Sequence, residues 1–69
     1  MEKATAEKVK AAIESLTGEQ TLVLYLKGTQ FGTINRCPHW YDVEKIDTDV
    51  VELSTNSVTI YFDEFEIRP

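Results

Sequence analysis

The chain of 69 residues has one cysteine, one histidine, one tryptophan, three glycines and two prolines. A lone cysteine forms no internal disulfide, so no covalent staple offsets the small core that a chain this short buries. Association with copies of itself is one way such a domain gains burial, and a homo-oligomer is an expectation. No stretch approaches the roughly 20 apolar residues of a membrane span, and no apolar run near the N-terminus reads as a signal sequence. A cytoplasmic protein is expected, which a free thiol suits. Nucleotide-binding glycine loops, paired metal-ligand motifs and catalytic signatures are also missing.

Charge is abundant but uneven. Residues 1 to 37 hold five basic and four acidic side chains, whereas residues 38 to 69 hold Lys45 and Arg68 against eight acids, giving −5 in all. Phosphate binding depends on lysine and arginine displacing counterions, so the acidic half works against nucleic acid. It reads either as a solvated surface that aids solubility or as a patch that meets a basic partner.

Ala6, Val9, Ile13 and Leu16 fall at helical spacing, which predicts an amphipathic helix over residues 2 to 17, closed by Thr17-Gly18 with the glycine in the left-handed region. The period then changes to two. TLVLYLKG sets Leu22, Leu24 and Leu26 opposite Val23 and Tyr25, as in a half-buried strand, and QFGTINR follows with Gly32 as a bend or bulge, so residues 22 to 36 read as a hairpin. VVELS and SVTIYF form a second hairpin around Thr55-Asn56, the asparagine being available for positive φ. Residues 37 to 49 show no period and read as the longest connection. Val58, Ile60 and Phe62 share one parity and Phe65 and Ile67 the other, so a tight bend near Asp63-Glu64 is needed to return both sets to one core.

The expected fold is therefore α+β in one domain, residues 1 to 69: a helix, then a β region over residues 21 to 69 with about five short, strongly bent antiparallel strands, as in SH3-like barrels. A helix packed on a four-stranded antiparallel sheet fits the same periods. The order helix, LVLYLKG, FGTI, then two late strands broken near residue 63 and ending in EIRP resembles the Sm-like family, which includes the bacterial Hfq proteins. Gly28 and Gly32 are similar to the glycines at the end of that family's first strand and within its next. The resemblance implies a small barrel and an RNA-binding oligomeric ring, with Arg36, His39, Trp40 and Tyr41 near its pore or rim. The chain departs from the family where NRCPHWYDVEKI replaces an acidic and amide pair, and where YFDEFE replaces a basic residue beside a glycine or histidine.

NRCPHWYD, residues 35 to 42, concentrates the rare residues. Cys37 and His39 lack the third group that orients a working nucleophile and base. Cys37, His39 and Asp42 are ligand types that zinc accepts, but with no second cluster to complete a tetrahedron. Asp47 and Asp49 lack the glycine and distal glutamate of a calcium loop. No enzymatic activity, cofactor or metal is expected. Trp40 and Tyr41 beside Arg36 and His39 suit either core filling or a docking surface. The reading that follows is a non-enzymatic interaction or regulatory module, with a phage or mobile-element origin as a further expectation. It takes a protein partner through Arg36, His39, Trp40 and Tyr41, through the acidic surface, or through both. The RNA-binding ring is the alternative.

Overall fold

A computed structural model describes residues 1–35, 39–47 and 49–69. It shows an α+β fold in which one short helix accompanies seven antiparallel strands in two open sheets. β1 (Glu2–Lys3) precedes α1 (Ala6–Ser15), and β2 (Thr21–Leu26), β3 (Thr29–Ile34), β4 (Tyr41–Lys45), β5 (Val51–Thr55), β6 (Thr59–Phe62) and β7 (Glu64–Arg68) follow. The first sheet has the order β1-β7-β2-β3 and the second β4-β5-β6. No hydrogen-bonded ladder joins the two among the described residues, so the strands do not close into a barrel. The four-stranded sheet of the alternative reading is present, with a second sheet beside it.

The helix is shorter than its periodicity predicts. Thr5 takes extended backbone (φ −129°, ψ 159°) and its hydroxyl accepts from the Lys8 N–H at 3.2 Å, satisfying one of the amides left free at a helix start. The residues ahead of it are strand: Glu2 and Lys3 pair with Phe65 and Glu64. At the other end the helix stops at Leu16, whose N–H reaches the Ile13 carbonyl, and Gly18 is not in the left-handed region. The glutamine of the next turn closes the exit, Gln20 Oε1 accepting from the Thr17 N–H at 3.1 Å. Val9 and Ile13 are fully buried, as the period requires.

β2 and β3 form the expected hairpin. Lys27 (φ 52°) and Gly28 (φ 80°) both lie in the left-handed region, the signature of a two-residue type I′ turn. Leu24 pairs with Gly32 and Tyr25 with Gln30, so Phe31 is the extra residue of a bulge. Both faces of β2 are buried: Leu22 and Leu24 lie in the core, while Val23 on the other face sits between the side chains of its cross-strand partners Thr33 and Glu66. β2 is not the half-buried strand of the alternation pattern.

The second hairpin turns without the positive φ anticipated at Asn56. Instead the Thr55 hydroxyl accepts from the Ser57 and Val58 amides at 3.3 and 3.2 Å. The segment without a visible period contains β4, whose Tyr41 and Val43 face inward.

The bend near residue 63 is where the sheets meet. Asp63 lies between β6 and β7, donating its N–H to the Tyr25 carbonyl at 2.9 Å while its own carbonyl accepts from the Ala4 N–H at 2.8 Å. Its carboxylate accepts from the Lys27 N–H. Phe62 before the corner and Phe65 after it are both buried, so the parity change does return them to one core. Val58 and Ile67, at the outer ends of those runs, stay exposed. The core gathers Val9 and Ile13 from α1, Leu22, Leu24 and Phe65 from one sheet, and Val43, Val51, Leu53 and Phe62 from the other.

Candidate functional site

The outward face of the second sheet is built by simple alternation. Val43, Val51, Leu53 and Phe62 turn inward, which leaves Asp42 and Glu44 on β4, Glu52 and Ser54 on β5, and Thr59 and Tyr61 on β6 outward. Register then sets them in rows. Glu44 lies directly opposite Glu52, which lies opposite Tyr61; Asp42 lies opposite Ser54, which lies opposite Thr59. Two carboxylates facing each other across a ladder repel. The Glu52 carboxylate beside Tyr61, as a hydrogen-bond acceptor and as a charge, pushes the tyrosine hydroxyl above its ordinary titration range. Among the described residues no salt bridge reaches Asp42, Glu44 or Glu52.

Trp40 stands immediately before this strand and is 53% exposed. It is not core. His39 is exposed as well. Tyr41 separates from them: as the first residue of β4 it packs against the core, and its hydroxyl donates to Glu14 Oε1 on α1 at 3.3 Å. Of the expected site residues, His39 and Trp40 therefore share the solvent while Tyr41 fastens β4 to the helix. Arg36 and Cys37 lie outside the described residues, so the Cys37–His39 pairing and the Cys37, His39 and Asp42 ligand set lie there too. No three of the described histidine, cysteine, aspartate and glutamate side chains come together to hold a metal ion. No described helix is long and apolar enough to cross a membrane.

The first sheet's outward face is different in kind. The Tyr25 hydroxyl donates to Glu66 Oε1 and accepts from Arg68 Nη2 at 2.8 Å, while Arg68 Nε donates to the same glutamate oxygen at 2.8 Å. The tyrosine bond, then the arginine, holds the Glu66 carboxyl below the usual range, and the carboxylate in turn raises the tyrosine. These charges satisfy one another. Lys3 and Asp49 do the same at 2.8 Å, each stabilising the other's ionised form.

The acidity of this half was legible in the sequence, but its gathering on one sheet face was not, because β4 was not recognised as a strand. The inward parity of Tyr41 and Val43 was the available signal, and it places Asp42 and Glu44 on the opposite side. No protein family, curated protein or solved structure matches the chain.

Proposed function

We propose that the chain is a non-enzymatic interaction module that takes a basic segment of a protein partner on the outward face of β4, β5 and β6, with Trp40 at its border. The carrying observation is the opposition of Glu44 and Glu52 beside Asp42, with no compensating cation among the described residues. Glu66 and Asp49, by contrast, are paired with Arg68 and Lys3. A face left uncompensated attracts cations from solution, and arginine or lysine side chains of a partner supply them. Tyr61 and Trp40 add exposed aromatic surface on which an arginine stacks.

A bent two-sheet layout like that of the Sm-like family, left open rather than closed into a barrel, is the finer form of this proposal for the fold. It is supported by the corner at Asp63, which carries the chain from one sheet to the other. The family's RNA-binding ring is not, because an acidic face repels phosphate.

The test is fluorescence titration with an arginine-rich peptide, an acidic peptide of equal length, and short oligouridylate and oligoadenylate. Binding of the basic peptide alone, weakening as salt shortens the screening length and lost in Asp42→Asn/Glu44→Gln/Glu52→Gln, is the expected result. Binding of the oligonucleotides, or basic-peptide affinity untouched by the triple substitution, overturns the proposal.

A further inference from the structure

We draw no further inference here: the strongest candidate, the cavity between the N-terminal turn of α1 and β5 that Lys3 and Lys45 border together with Glu7 and Asp47, rests on a helix N-terminus whose flanking cations are matched by as many carboxylates, and nothing among the described residues points to a ligand there.

Discussion

Gly32 and Ile60 touch across the gap between the two sheets, and the contact sets how closely they pack. A methyl added at Gly32 falls 2.3 Å from Ile60 Cδ1 but 3.9 Å from Cγ1, so the terminal methyl alone is in the way. Carbon atoms rest about 3.5–4.0 Å apart, and the overlap is relieved by turning the outer torsion of Ile60, at about 0.5–1.5 kcal/mol. Gly32→Ala also narrows the unfolded ensemble, which returns about 0.4–1 kcal/mol. The single substitution is therefore close to neutral. Ile60→Val removes the obstructing methyl and by itself costs about 0.5–1.5 kcal/mol, toward the low end because Ile60 is only partly buried. In that background Gly32→Ala meets no clash and becomes stabilising. Urea denaturation of the four proteins of this cycle is expected to give a coupling of about 0.5–1.5 kcal/mol favouring the double variant. Additivity within about 0.3 kcal/mol, the scatter of independent sites, refutes the close approach of β3 and β6.

Phe62→Ala is expected to cost about 3–5 kcal/mol, against a total of roughly 3–10 kcal/mol for a chain of this size. Val58→Ala, on the same strand parity but 56% exposed, stays within about 0.5 kcal/mol, and thermal melts followed by circular dichroism distinguish the two. Glu66 has a folded pKa below its ordinary 4.5, so its stabilisation is complete above that value and is lost as pH falls through the folded one. Tyr25→Phe removes the largest cause, and the Glu66 midpoint in a carboxyl NMR titration moves up toward 4.5; an unmoved midpoint contradicts the assigned bond. Trp40, the one tryptophan, emits as a solvated indole and is quenched by acrylamide in the native state. A blue-shifted, protected emission places it in the core instead.

Much of the fold was legible where alternation or helical spacing ran long enough to declare itself. The parity break between Phe62 and Phe65 located the corner at Asp63, since one straight strand cannot bury both. Gly32 marked the bulge. β1 was not legible, because two residues carry no period and the spacing of α1 runs back into them; what makes Glu2 and Lys3 strand is the β7 edge they pair with, through contacts 63 and 61 residues away in sequence. β4 was missed because its outward residues, Asp42 and Glu44, continue into equally polar Asp47 and Asp49, leaving only Tyr41 and Val43 to show the alternation. The acidic face went with it. Trp40 was ambiguous because a large aromatic beside a strand fills a core or faces solvent according to the course of the chain on either side, which only tertiary structure fixes.

Glu44→Lys tests the central claim most directly, because it converts the repulsion between Glu44 and Glu52 into attraction and reverses charge at the middle of the proposed docking face. The account predicts that one protein shows both effects in parallel measurements: a raised thermal midpoint and loss of arginine-rich peptide binding. A lowered midpoint with binding intact would contradict it, showing that the carboxylates of this sheet neither strain the fold nor serve a partner.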